Sequence, residues 1–239
     1  MATSSGSSRV KRPPRLADLV YDEMKKAILK AEFERERFYS EQELAELFGV
    51  SRAPVRDATI RLSNEGLIAV RSNRGMLVIE LSAEAIAECY EMREVIECWI
   101  VRKLANRATA DQLALIRKSL NEQRGIVSRG DLEAWVVANA DFHILLAKAA
   151  GNSLMVRTIT SISDQMQRVG RTLVAKTRPM PEVFDEHAAV AEAILQRKPA
   201  QAERAMKKHL SETCRAYLTV GTVNPKSHHW SRTNSRADR

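Results

Sequence analysis

The chain holds 239 residues, 44% of them hydrophobic and 28% charged, with a formal net charge of +8. That balance belongs to a globular protein of one or two domains with a sizeable core, and no apolar run approaches the roughly 18 residues of a membrane span. Cys89, Cys98 and Cys214 are far apart and form no C-x-x-C, which speaks against a disulfide framework and a thiolate zinc site and leaves them as buried thiols.

No apolar segment of the secretory kind opens the chain, so a cytoplasmic protein is expected. Net charge argues only weakly for a polyanion, because residues 1–80 carry 14 Lys and Arg against 12 Asp and Glu. A protein that compacts DNA without specificity would need a larger excess. The local set Arg52, Arg56, Arg61, Arg71 and Arg74 carries more weight.

Residues 1–14, rich in Ser, Pro, Lys and Arg, cannot bury apolar surface and are expected to be disordered. Tyr21, Met24 and Ile28 then recur at helical spacing and predict an amphipathic helix over about 16–31. Ser40 followed by Glu43 is a capping box that starts a helix, Leu44 and Leu47 share one face of it, and Gly49 supplies its left-handed stop. Ser51 can cap the next helix, where Pro54 is tolerated in the first turn. Val55, Ala58 and Leu62 form the inward stripe, which turns Arg52 and Arg56 outward.

Two arginines at the positive end of a helix dipole gain nothing from the helix itself and ask for an anionic partner. In a helix-turn-helix, this turn meets base edges in the major groove, where arginine binds guanine bidentately. After Gly66 the period changes. Residues 67–70 and 76–79 are short apolar runs separated by Arg71-Ser72-Asn73-Arg74-Gly75, which predicts a β-hairpin wing with a basic tip.

The run Glu43–Ala58, together with Leu62 and Glu65-Gly66-Leu67, resembles the winged helix-turn-helix of the GntR family of bacterial transcription regulators over about residues 15–80. The resemblance implies operator DNA as partner, with Arg52 and Arg56 as recognition contacts beside Ser51 and Pro54, and Arg74 and Gly75 at the wing tip. Two features depart from the family pattern. Residues 34–37 read Glu-Arg-Glu-Arg where a Pro-Gly turn is usual, and Gln42 stands where some relatives have an arginine.

From Ser82 to about residue 221 strand signals vanish. Six helices are predicted, at about 83–105, 109–127, 130–149, 152–175, 182–196 and 199–219, forming an all-α bundle. Residues 222–239 read as a second disordered tail. His143, His187 and His209 lie on three different predicted helices, and Asn139 is one turn before His143, on the same face. Three imidazoles can hold a transition metal with positions left open. Spacing alone does not bring three helices together, and hydrogen-bonded core histidines are the alternative.

The segments Asn139–His143, Ala149–Asn152, Glu186-His187 and Ala205–Leu210 resemble the FCD effector-binding domain of the FadR subfamily, in its six-helix VanR-like group. The resemblance implies that Asn139, His143, His187 and His209 bind a divalent metal such as zinc, nickel or manganese, and that a small organic acid completes the shell. Asn139 replaces the aspartate of most relatives. An acid also calls for a cation, for which Arg93 is the first candidate, followed by Arg168 and Arg171.

The fold expected is therefore mainly α: a winged helix-turn-helix with a small hairpin, then a six-helix effector and dimerisation domain over 81–221. The function expected is a homodimeric repressor on a pseudo-palindromic operator, modulated by a carboxylic acid. The alternative is a metal-dependent enzyme acting on a small organic acid. No nucleophile elbow, phosphate loop or H-E-x-x-H supports it, and Glu186, as a helix neighbour of His187, is turned away as a general base.

Overall fold

The computed structural model describes residues 15–34 and 36–219, and the backbone alone over 168–177. The tails read at 1–14 and 222–239 lie outside the described residues. Two compact units divide the chain: the residues up to Ile28 together with Glu32–Val78 form the first, and those from Ile79 onward, joined by Leu29–Ala31, the second. Each has its own apolar core.

The first unit runs α1 (Leu16–Leu29), β1 (Phe38–Tyr39), α2 (Glu41–Phe48), α3 (Arg52–Asn64), β2 (Ile68–Arg71) and β3 (Gly75–Val78). The capping box forms as the sequence requires: Ser40 Oγ accepts from the Glu43 amide at 3.1 Å, and the Glu43 carboxylate accepts from the Ser40 amide at 2.8 Å. Gly49 closes α2 at φ 65°. Val55, Ala58 and Leu62 of α3 are buried with Met24, Ile28 and Leu44. Ser51 occupies the N-cap of α3, yet its hydroxyl makes no capping bond, contrary to the sequence reading.

The sheet is antiparallel with order β1-β3-β2. Its strand β1 was not foreseen, since two residues cannot display an alternation; Tyr39 earns its place by burial and by packing edge-on against Phe33, ring centroids 5.0 Å apart. The hairpin strands also sit one residue from their predicted bounds. Leu67 belongs to the turn that closes α3, its amide donating to Leu62 O at 3.1 Å. At the other end Gly75 joins β3 at φ 97°, where a Cβ would lie 2.2 Å from Tyr39 O. The hairpin can therefore run close to β1 only with glycine at this position.

The second unit consists of α4 (Ala83–Arg107), α5 (Ala110–Arg129), α6 (Leu132–Ala150), α7 (Ser153–Thr177), α8 (Met180–Leu195) and α9 (Pro199–Thr219). The breaks are the expected ones. Ser82, Thr109 and Asp131 cap their helices through their side chains, and Gly130 and Gly151 stop α5 and α6 in left-handed conformations. Helix α8 starts earlier than predicted, with Pro181 inside its first turn, where a missing N–H costs nothing. Among the cysteines only Cys98 is buried; Cys89 and Cys214 are half-exposed, which corrects the expectation for two of the three. Among the described residues no helix is long and apolar enough to cross a membrane.

Candidate nucleic-acid interface and metal centre

In the first unit, Arg52 and Arg56 stand exposed in the first turns of α3. Arg52 reaches Glu41 of α2 at 3.1 Å, a surface pair worth about 0.2–1 kcal/mol that a phosphate can displace. Among the described residues Arg56 has no hydrogen-bond or ion-pair partner, and its guanidinium is free to meet a ligand. A groove lined by Arg52, Gln42, Arg71, Asn73, Arg74 and Gly75 brings the start of α3 beside the wing. Arg74 lies over the Phe38 ring at 5.5 Å. Arg61, of the same basic set, is engaged elsewhere, with Asp18 at 2.9 Å and the Tyr21 ring at 3.7 Å. Ser51 is exposed at the groove end of α3, but Pro54 is buried. Pro54 therefore shapes the first turn from inside and offers DNA no surface, which corrects its expected role as a contact.

In the second unit, His143 on α6, His187 on α8 and His209 on α9 converge, their candidate ligand atoms all within 4.8 Å of one another. At most 2% of any of the three is exposed. Each Nδ1 is engaged: His143 with Glu97 at 2.5 Å, His187 with Gln123 Oε1 at 2.8 Å, and His209 with Glu186 at 2.9 Å. A carboxylate or amide oxygen can only accept, so the proton sits on Nδ1 in all three rings and the Nε2 lone pairs are left bare. His187 is also stacked against Phe142, ring centroids 4.3 Å apart.

Burial holds all three imidazoles in the neutral form that a metal requires. It pushes His143 down to about 4 against the pull of Glu97, lowers His187 well below the usual histidine range, and lowers His209 in spite of Glu186. His143 Nε2 and His187 Nε2 are buried without any hydrogen-bond partner. Unsatisfied buried acceptors are costly, at about 1–3 kcal/mol each. Converging lone pairs on pinned rings fit a divalent cation and fit a structural core poorly.

The sequence matches the FCD domain family over residues 88–212 and the "Bacterial regulatory proteins, gntR family" over residues 16–78. The chain belongs to the GntR family and carries an FCD domain. It is similar to the HTH-type transcriptional repressor RspR of Escherichia coli K12, 32% identical over 77% of this chain and 81% of that protein. It is also similar to the HTH-type transcriptional repressor NanR of Salmonella newport, 28% identical over 94% of this chain and 95% of the relative. Two solved structures share the fold. Escherichia coli McbR/YncC has a TM-score of 0.75 at 17% identity, covering 87% of this chain and 99% of that one. A GntR protein from Rhodococcus sp. RHA1 also has a TM-score of 0.75, at 24% identity, covering 85% and 97%. This GntR protein is thus a DNA-binding transcription regulator and not an enzyme.

Around the three imidazoles, the FCD domain of this GntR regulator holds residues that the sequence reading missed. Glu97, 1% exposed, lies between His143 and Arg93, whose Nε donates to it at 2.7 Å. Burial would raise the Glu97 carboxyl, but Arg93 and then His143 outweigh it and hold the group ionised. Glu186 turns from its neighbour His187 to His209 and forms a two-bond pair with Arg178, at 2.6 and 3.0 Å. Spacing could have found Arg93 and Glu97, which stand i, i+4 on one helix. Nothing in the sequence points to Gln123.

Arg93, the first candidate cation for an acid, is paired with Glu97, and its Nη2 remains buried without a partner. It lines a cavity of about 30 Å³ together with Asn139, His143, Ser163, Tyr90 and Tyr217. That volume holds one or two waters. The side chains of Arg168 and Arg171 lie outside the described residues.

Proposed function

We propose that this GntR regulator represses transcription as a homodimer on a pseudo-palindromic operator, and that a small carboxylic acid bound beside a divalent metal in the FCD domain alters its affinity for DNA. Zinc, nickel and manganese are the metals its donors suit. The carrying observation is the pair of bare, buried Nε2 atoms of His143 and His187, aimed with His209 at one point. Asn139, on the face of His143, is the fourth donor, and a bound metal supplies there a Lewis acid for a carboxylate oxygen. Arg93 Nη2 is the complementary cation for the rest of that carboxylate. The repressor reading is supported by the names of the relatives RspR and NanR.

On the DNA side, Arg52 and Arg56 read the major groove from the start of α3, Ser51 assists at its N-cap, and Arg74 with Gly75 carries the wing tip to the backbone. Coupling between operator and acid is a free energy shared by two sites. At about 1–3 kcal/mol it changes DNA affinity 5–150-fold, and by reciprocity the DNA changes acid affinity equally.

The metal is tested by elemental mass spectrometry of the purified protein. The parent protein is expected to carry about one divalent ion per chain and His187→Ala to lose most of it, since removing one of three imidazoles breaks the donor set. Equal metal in both proteins would return the histidines to the core.

The dimer reading rests on α4. Met92, Val95 and Trp99 are exposed at 49%, 73% and 46%, and with Glu88 and Arg102 they fall in one stripe of alternating four- and three-residue steps. Turned antiparallel about Val95, two such stripes place Glu88 of each copy opposite Arg102 of the other. Arg102 now reaches Glu203 at 3.1 Å on the surface, a pair that costs little to exchange. Light scattering is expected to give a dimer for the parent protein, more monomer for Arg102→Glu, and a restored dimer for Arg102→Glu combined with Glu88→Arg. A double variant no better than the single one would place the contact elsewhere.

A further inference from the structure

Two of the polar side chains that line the groove between α3 and the wing are held by acids of α2. Arg52 Nη2 donates to Glu41 Oε2 at 3.1 Å, and Gln42 Nε2 donates to Glu46 Oε1 at 2.7 Å. Glu41, half-buried, lines the groove itself. Bulk attraction to DNA would not select a carboxylate on this face, because it repels every phosphate that comes near. Nor does this part of the chain have charge to spare, since residues 1–80 carry 14 Lys and Arg against 12 Asp and Glu.

What the carboxylate does depends on what Arg52 meets. A guanidinium has five N–H donors, and the contact with Glu41 occupies one Nη2 donor. The edge of a guanine offers two neutral acceptors, O6 and N7. Arg52 can serve both from its remaining donors while Glu41 stays in place and balances its charge. A phosphate is an anion, and it takes the guanidinium only against the repulsion of Glu41 or by displacing it. The contact thus favours base over backbone. It also orders the Arg52 side chain before DNA arrives, which lowers the entropic cost of the base contact. We infer that Glu41 is a positioning residue for operator selectivity, which acts through Arg52 by holding the guanidinium for a guanine edge and against the phosphates of unrelated DNA. This rests on the reading of Arg52 as a base contact.

The experiment is a fluorescence-anisotropy titration of the full chain against the footprinted operator and against a scrambled duplex of the same length, at several salt concentrations. It compares the parent, Glu41→Gln, Arg52→Ala and the double variant. Glu41→Gln keeps an oxygen that can accept from Arg52 and removes only the charge. The Ser40–Glu43 capping box still starts α2 in this variant. Affinity for the scrambled duplex is expected to rise about 5-fold, the upper end for a surface ion pair, and operator affinity to change by less than about 2-fold. The selectivity ratio then falls about 5-fold. On the scrambled duplex the slope of log affinity against log salt should steepen by about one, as Arg52 is released to neutralise a further phosphate. In the Arg52→Ala background, Glu41→Gln is expected to leave the ratio unchanged.

An unchanged ratio for Glu41→Gln in the parent background overturns the inference. The same fall in both backgrounds also overturns it, because Glu41 would then act on the DNA directly and not through Arg52. Undiminished operator affinity in Arg52→Ala is a separate result, which would remove Arg52 from the reading surface and the inference with it.

Discussion

Arg56→Ala is expected to lose operator DNA 5–150-fold in a fluorescence-anisotropy titration, on an operator located first by footprinting with the parent protein. The range is the roughly 1–3 kcal/mol of one bidentate arginine contact to a guanine. Arg56 is exposed one turn after Arg52, which lines the groove that joins this helix to the wing. Its cationic side chain near the positive end of the helix contributes nothing to the fold, so the melting temperature should stay within about a degree or two, as surface substitutions usually do. Affinity for unrelated DNA should fall much less, because phosphate attraction is shared among many charges. Arg56→Lys serves as control: it keeps the charge and loses the planar fork, and should resemble alanine in selectivity. Undiminished operator affinity in Arg56→Ala would remove Arg56 from the reading surface.

The second large effect is on stability. Glu97→Ala is expected to cost the metal-free protein about 3–5 kcal/mol, the usual result of removing one partner from a buried ion pair. Both charges are almost fully buried, with Arg93 5% and Glu97 1% exposed. Without Glu97 the guanidinium keeps its charge and loses its counter-ion, while His143 loses the oxygen that fixes its proton on Nδ1. Urea unfolding in the presence of a chelator measures this directly, since ligand binding then adds nothing to the folded state. Glu97→Gln retains the shape and one acceptor and should lose less. An alanine variant as stable as the parent would mean that water reaches Arg93, and the cavity would then be open.

How much of this was legible in the sequence follows the range of the interactions. The capping box at Ser40, the left-handed stop at Gly49, the inward stripe of α3 and the breaks between the six bundle helices are set by neighbours within a turn, and the structure repeats them. Strand β1 escaped because its two residues are fixed by β3, across the hairpin. The burial of Pro54 and the half-exposure of Cys89 and Cys214 depend on what packs above them, which spacing does not report. The three histidines could be singled out by residue type, and their convergence could not. The groups that orient them are more distant still: Glu97 is 46 residues from His143, Gln123 is 64 from His187, and Glu186 is 23 from His209. Only Arg93 and Glu97, four apart on one helix, left a local trace.

The smallness of the cavity beside Arg93 has a consequence in time. Its roughly 30 Å³ is space for a water or two, so the acid of the proposed function would enter by displacing them and moving Tyr90, Tyr217 or their neighbours on the wall. Association then has a ceiling set by how often the wall opens, and its observed rate should level off as acid is added instead of rising in proportion. Departure waits on the same opening. A regulator that binds its effector in the way proposed would average over brief swings in metabolite concentration, and the gene it controls would see the sustained level.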